Sequence, residues 1–231
     1  MKKIGIVGGL GPESTIDYYK GIINALRQRQ VGLSTPELII YSADVSKLLE
    51  LVEAKEWDNL VDWLAKMVNA LHSAGAEFVI IGSNTPHIVF DKVESRSPIP
   101  MLNIIDETCK RALSLGVKKP GLIGTKFTME SDFFQKVFQN VGISIIVPVK
   151  DEQQYIHNKL ISEIEFGIIE NSTRQELLSI IKRMIDEDSI DSLILGCTEL
   201  PMILDKDEYG IPFLNTTAIH IDSIVDYCIR N

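Results

Sequence analysis

Short β-branched runs alternate with stretches of helical apolar spacing along the whole 231-residue chain. Residues 4–7, 38–41, 77–81, 100–102, 121–123, 144–147, 192–195 and 212–214 read as strands. Between them Trp57, Leu60, Val61, Leu64, Met67, Val68 and Leu71 fall on one face of a helix that Gly75 terminates. Met129, Phe133, Phe134, Val137, Phe138 and Val141 repeat that pattern ahead of Gly142. Strands interleaved with helices are the pattern of parallel βαβ units, so the expected fold class is α/β with helices on both sheet faces.

Three segments recur in the same order. Gly5-Ile6-Val7-Gly8 returns as Gly121-Leu122-Ile123-Gly124, 116 residues on. Ile81-Gly82-Ser83-Asn84-Thr85 resembles Leu195-Gly196-Cys197-Thr198-Glu199 at a separation of 114, and Ile99-Pro100-Met101-Leu102-Asn103 resembles Ile211-Pro212-Phe213-Leu214-Asn215 at 112. A steady offset across three matches indicates an internal duplication. The expectation is two similar lobes related by a pseudo-two-fold axis, each an approximately four-stranded, mainly parallel sheet flanked by helices. The cuts are set at 1–97 plus 208–231 for the lobe with Ser83, and 98–207 for the lobe with Cys197. Each Ile-Pro-x-Leu-Asn strand is assigned to the opposite lobe, and the C-terminal helix to the first.

Composition narrows the class. Hydrophobic residues make up 45% and charged residues 24%, an ordinary globular balance. A net charge of −9 argues against a nucleic-acid or anionic-membrane partner, while leaving a small anionic substrate open. No apolar run approaches the roughly 20 residues that cross a bilayer. Met1-Lys2-Lys3 leads into a run too short for a signal-peptide core, so a cytoplasmic protein is expected. The cysteines Cys109, Cys197 and Cys228 lack CxxC spacing, and His72, His87, His157 and His220 lack zinc-ligand spacing, so neither a disulfide framework nor a metal site is expected.

Ligands of open parallel sheets bind beyond the carboxyl ends of the strands, which singles out residues 8–14, 82–87, 124–128 and 196–201. In the first loop Pro12 suits an opening helical turn, and free amides near glycines favour an anion. A dinucleotide reading fits poorly, because Ser14 stands at the third glycine position and Asp44 lies about 33 residues beyond Gly11 instead of about 20. Cys109 and Cys228 lie on helical apolar stretches and read as core. Taken alone, Cys197 stands even between a buried structural thiol and a reactive one. Its repeat partner at a strand end tilts it toward chemistry, with a helix N-terminus expected to lower its pKa. His87 is balanced between lining the cleft and bonding the backbone. Ser83 lies in Gly-Ser-Asn, not the Gly-x-Ser-x-Gly of a serine hydrolase.

The segment from Ile4 to Thr15, the Ser83-Asn84-Thr85-Pro86-His87 loop, Gly124-Thr125 and Gly196-Cys197-Thr198-Glu199-Leu200-Pro201 together resemble the aspartate/glutamate racemase family over nearly the whole chain. The resemblance implies a two-lobed, dimeric enzyme that inverts an acidic amino acid without pyridoxal phosphate or metal. One cysteine on each face of the α-carbon removes or returns the proton. It also places Gly9, Asn84, Thr85, Thr125, Thr128, Thr198 and Glu199 around the substrate. A thiol suits this work because its reference pKa of about 8.5 leaves both protonation states accessible near neutrality.

The chain departs from that pattern where it matters most. Ser83 stands at the position of the family's first cysteine, and an alcohol is too weak an acid to share a thiol's duty. Several readings stay open: an engineered arrest, a native one-thiol racemase with a directional bias, a changed chemistry like that of one-cysteine arylmalonate decarboxylases, or a lobe pair that only binds an acidic amino acid. The basic groups that some relatives direct at a distal carboxylate are also thin here. Lys47 is a candidate for one, but no basic residue lies between Glu163 and Gly167, where Glu165 takes the expected place.

Overall fold

The structure, a computed structural model, describes residues 1–29 and 35–230. In chain order the elements begin with β1 (Ile4–Gly8), α1 (Pro12–Gln28), β2 (Leu38–Ser42), α2 (Val45–Glu53), α3 (Trp57–Ser73) and β3 (Phe78–Ile81). A 3₁₀ turn (Thr85–Val89), α4 (Phe90–Glu94), β4 (Met101–Leu102) and α5 (Ile104–Ser114) follow. Next come β5 (Pro120–Ile123), α6 (Lys126–Glu130), α7 (Phe133–Gln139), α8 (Lys150–Ser162), a 3₁₀ turn (Ile164–Phe166), α9 (Asn171–Asp188) and β6 (Ser192–Leu195). A 3₁₀ turn (Leu200–Met202), β7 (Phe213–Asn215) and α10 (Thr216–Ile229) complete the chain.

Two compact units divide these elements, Met1–Glu107 with Thr217–Asn231 and Thr108–Thr216. The first holds a parallel sheet in the order β2-β1-β3-β4. Its residues alternate between faces with the period of two that a pleated strand imposes. Val7, Val79 and Ile81 join the core under α2, α3 and α4, with Leu48, Leu60, Leu64 and Phe90. Ile4, Ile6, Phe78 and Ile80 point the other way, onto Tyr18, Ile22 and Leu26 of α1 and Ile224, Val225 and Cys228 of α10. The second unit holds the parallel sheet β5-β6-β7. Ile123, Leu193 and Leu195 pack there against Ile156 and Leu160 of α8 and Leu177, Ile181 and Met184 of α9.

The duplication is visible bond by bond. Gly82 N donates to Val7 O at 2.9 Å, and Gly196 N donates to Ile123 O at 2.8 Å. Val79 N donates to Pro100 O at 3.0 Å, as Leu193 N does to Pro212 O. Where β2 flanks β1 in the first unit, a single parallel bridge from Ile146 to Gly121 flanks β5 in the second.

Three sequence expectations change. The run 144–147 forms only an isolated bridge at Ile146, through Leu122 N to Ile146 O at 2.8 Å and Ile146 N to Pro120 O at 2.9 Å, with a longer bond from Ser144 N to Lys118 O at 3.4 Å. Pro148, two residues on, offers no amide to extend the ladder. The helix read through 129–141 is broken at Ser131, whose extended backbone (ψ 158°) separates α6 from α7. No strands are exchanged: β4 pairs with β3 and β7 with β6, each in the sheet of its own half. The chain divides between Glu107 and Thr108, within α5, and between Thr216 and Thr217, at the start of α10, about ten residues beyond the cuts set from sequence.

Two buried histidines brace the first unit. The Leu102 carbonyl 3.2 Å from His220 Nε2 can only accept, so Nε2 carries the proton and Nδ1 receives the Tyr18 hydroxyl at 2.8 Å. The Ser83 carbonyl, 2.8 Å from His87 Nδ1, likewise makes that nitrogen the donor, and His87 Nε2 accepts from Ile104 N at 3.4 Å. Burial lowers both imidazoles to about 3. In the unfolded chain they protonate near 6.5, so between about pH 6.5 and 3 the unfolded state binds more protons and stability is lost as pH falls. Urea titrations are expected to show a decrease of up to about 2 kcal/mol per histidine from pH 7 to pH 5. His220→Gln should flatten that slope. Equal stability at the two pH values would contradict the assignment.

Candidate active site

In the first unit the strand-end loops are built from glycines and hydroxyls. Gly9 has φ +75°, and a Cβ on it would lie 2.3 Å from Ala43 O and 2.6 Å from Ala43 N. Only glycine lets the loop after β1 pass so close to the chain leaving β2. Its amide, expected to be free for an anion, instead donates to Thr15 Oγ1 at 2.8 Å. The hydroxyl of buried Ser14 lies 2.9 Å from Gly11 O and 2.8 Å from Gly82 O, so its one proton is shared between the loop after β1 and the loop after β3. Pro12 opens α1, as the sequence predicts. Beyond Gly82 come half-buried Ser83 and Thr85 with buried Asn84. His87 bonds the Ser83 carbonyl, which settles its even reading in favour of the backbone.

The second unit repeats the design with a thiol. Gly124 and Gly196 pack backbone on backbone: a Cβ on Gly124 would meet Gly196 O at 3.1 Å, and one on Gly196 would meet Ile123 O at 3.0 Å. Thr125 caps α6 by accepting from Thr128 N at 3.4 Å, and its hydroxyl lies 3.2 Å from that of buried Thr128. Cys197 follows Gly196. Its thiol donates to Glu199 Oε2 at 3.0 Å, and Thr198 Oγ1 donates to the same oxygen at 2.7 Å.

The electrostatics reverse the expectation for this thiol. Cys197 is 8% exposed, inside an apolar cluster with Leu195, Leu200 and Ile203. Burial pushes its pKa well above the ordinary thiol value, and the carboxylates of Glu199 and Glu165 push it further. The backbone at Glu199 opposes them, more weakly than burial and the Glu199 carboxylate but more strongly than Glu165 acts. No helix-terminus depression prevails, because the turn that follows is a three-residue 3₁₀ turn. Partial burial and then the charge of Glu199 also raise the Glu165 carboxyl. The resting state of Cys197 is a neutral thiol.

Lys47 stands exposed on α2, 3.6 Å from Glu50 Oε2. In the second unit the cation nearest Glu163 in sequence, Lys159, is paired with it, and Thr173 Oγ1 donates to Glu163 at 2.6 Å. Among the described residues no group of three His, Cys, Asp or Glu side chains is arranged to hold a metal ion. No helix among them is long and apolar enough to cross a membrane.

The family model for Asp/Glu/hydantoin racemases matches residues 7–224, taking in both units and all four strand-end loops. The chain belongs to the Asp/Glu/hydantoin racemase family. It is 28% identical over 232 residues to a broad-specificity amino-acid racemase of Bacillus subtilis, covering 96% of each chain. The structure of an aspartate racemase homologue from Pyrococcus horikoshii superposes with a TM-score of 0.87 at 34% identity, over 100% of both chains. An aspartate racemase from Picrophilus torridus shares the fold, with a TM-score of 0.71 at 22% identity over 97% of this chain and 94% of that one.

In this racemase-family chain, sequence reading passed over Thr15, Ser14 as a loop clasp, and the bond from Cys197 to Glu199. Ser14 carried a signal only as a departure from a glycine pattern, and an i,i+2 pair in a loop has no periodicity to reveal it. The tight passage at Gly9 is open to test against Gly116, which has φ +73° with nothing within 4 Å of a Cβ. Gly116→Ala should cost about 1 kcal/mol from the left-handed backbone alone. Gly9→Ala should cost at least about 2 kcal/mol more in urea unfolding, since backbone atoms must move. Equal losses would show that the contact with Ala43 is loose.

Proposed function

We propose that this racemase is cofactor-independent and uses a single thiol, with Cys197 as acid/base on one face of the α-carbon and Ser83 at the other. The observation that carries the reading is the duplicated loop: Ser83 and Cys197 each follow a glycine whose amide bonds the neighbouring strand. Asn84, Thr85, Thr125, Thr128 and Thr198 are the groups we assign to the substrate's α-carboxylate and ammonium. Gly9 acts through backbone shape instead, since its amide is taken.

The α-hydrogen of an amino acid is a very weak acid, so its removal needs a positioned base and a site that stabilises the developing enolate-like charge. Thiolate serves as that base; an alcohol does not. Ser83, or water beside it, is still able to give a proton to a carbanion, because a carbanion is far more basic than an alkoxide. The two enantiomers have equal free energy, so kcat/KM must be the same in both directions. The asymmetry of the pair therefore shows in which enantiomer exchanges its α-hydrogen and in the separate kcat and KM values.

For the side chain, the resemblance favours aspartate or glutamate, with Lys47 as the cation for the distal carboxylate. The carboxylates of Glu199 and Glu165 near Cys197 favour a second reading, a substrate whose side chain is neutral or cationic. Chiral chromatography decides both. Both enantiomers of aspartate, glutamate, alanine and lysine are incubated with the unsubstituted protein, Ser83→Cys and Cys197→Ser. Inversion that Cys197→Ser abolishes and Ser83→Cys raises on the order of tenfold or more is the expected result. Inversion that survives Cys197→Ser undiminished, or no inversion of any of them, would remove the reading.

A further inference from the structure

A one-thiol racemase meets a difficulty that the geometry itself poses. The reading above makes Cys197 the base, yet its sulfur rests as a thiol in an apolar cluster. A base must lose its own proton before it can take another, and a thiol 8% exposed among apolar side chains has little contact with bulk water. The thiol donates to one carboxylate oxygen, Glu199 Oε2, at 3.0 Å, and Thr198 Oγ1 donates to that same oxygen at 2.7 Å. Glu199 itself is half-buried, which gives its carboxylate a path to solvent that Cys197 lacks.

We propose, resting on the racemase reading, that Glu199 is the proton acceptor of Cys197: a positioning residue that takes the thiol proton when an amino acid binds, and not a group that holds the substrate. The proton passes from Sγ to Glu199 Oε2 and leaves a thiolate beside a neutral carboxylic acid. The thiolate removes the α-hydrogen, the thiol re-forms, and the electron pair stays on the α-carbon, delocalised into the α-carboxylate. Water or the Ser83 hydroxyl supplies a proton to the opposite face. The hydroxide equivalent left there is neutralised by the proton that Glu199 releases to solvent. The first transfer is uphill, because burial and the nearby carboxylates hold the proton on the Cys197 sulfur. The substrate's α-ammonium, placed beside the new thiolate, offsets part of that cost. The charged groups acting on the thiol are Glu199 from its own loop and Glu165 from the 3₁₀ turn Ile164–Phe166; both oppose ionisation, and the transfer neutralises Glu199 but not Glu165.

Two readouts separate a carboxylate that carries the proton from one that only raises the pKa. Iodoacetamide labelling of Cys197, followed by peptide mass spectrometry across pH, reports the thiolate. Chiral chromatography reports inversion. In Glu199→Gln the opposing charge is gone, so labelling at pH 8 should rise several-fold, while inversion should fall at least tenfold because the amide accepts no proton. Glu199→Asp, which retains a carboxylate, should recover part of the inversion. An unchanged labelling profile, or inversion that rises in step with labelling, would overturn the proposal while leaving the racemase reading intact. Absence of inversion by the unsubstituted protein would remove the racemase reading, and this role for Glu199 with it.

Discussion

One backbone constraint organises each unit: the residue leaving an interior strand donates its amide to a carbonyl near the end of the neighbouring strand and is closely packed where a side chain would stand. Gly82 bonds Val7 O, and Gly196 bonds Ile123 O. A Cβ on Gly196 would lie 2.8 Å from Leu122 Cδ1, and one on Gly82 would lie 3.3 Å from the Tyr18 ring. The parallel ladder thus runs one residue past the strand, and the next residue is delivered at a fixed place on the carboxyl edge of the sheet. In one unit that residue is Ser83 and in the other it is Cys197. Rigid strand ends of this kind are where α/β sheets place ligand-handling groups.

The surroundings of these residues keep titratable groups neutral. His87 and His220 spend both ring nitrogens on one carbonyl and one donor each, and burial lowers their basicity to about 3. Tyr18, whose hydroxyl feeds His220, is pushed up by the same desolvation. Cys197 follows the rule, but with a difference that matters: its proton sits on a bond to a carboxylate instead of a carbonyl. A carbonyl cannot take a proton at any ordinary pH, whereas a carboxylate can. Of these buried groups, Cys197 alone donates to a carboxylate.

Much of the fold was legible because the patterns that predict it are the ones that pack it. Ile4, Ile6, Val7, Phe78, Val79, Ile80 and Ile81 are buried on both sheet faces, so their runs read as continuous apolar strands. The recurrent glycine and Ile-Pro-x-Leu-Asn segments exposed the duplication. What failed depended on partners that a linear pattern does not name. Ile145, Ile146 and Val147 look like any other strand, yet only Ile146 finds a ladder. The spacing of Met129 and Phe133 runs in phase across Ser131 and conceals a break in the backbone. The repeat established that Leu102 and Leu214 are equivalent without saying which sheet each would join. At the site, Cys197 was legible as a strand-end thiol, but burial and two nearby carboxylates set its charge, and neither has a signature in spacing.

The central claim is one thiol on one face, and α-hydrogen exchange in D2O tests it most directly. Each enantiomer of a substrate is followed separately by NMR for deuterium uptake and by chiral chromatography for inversion. With Cys197 as the only efficient acid/base, one enantiomer takes up deuterium with retention faster than it inverts. The other takes up deuterium only as it inverts, because every carbanion formed from it is captured by the thiol. Equal ratios of exchange to inversion for the two enantiomers would mean two equivalent acid/base groups, and would contradict a role for Ser83 as the weaker partner of Cys197.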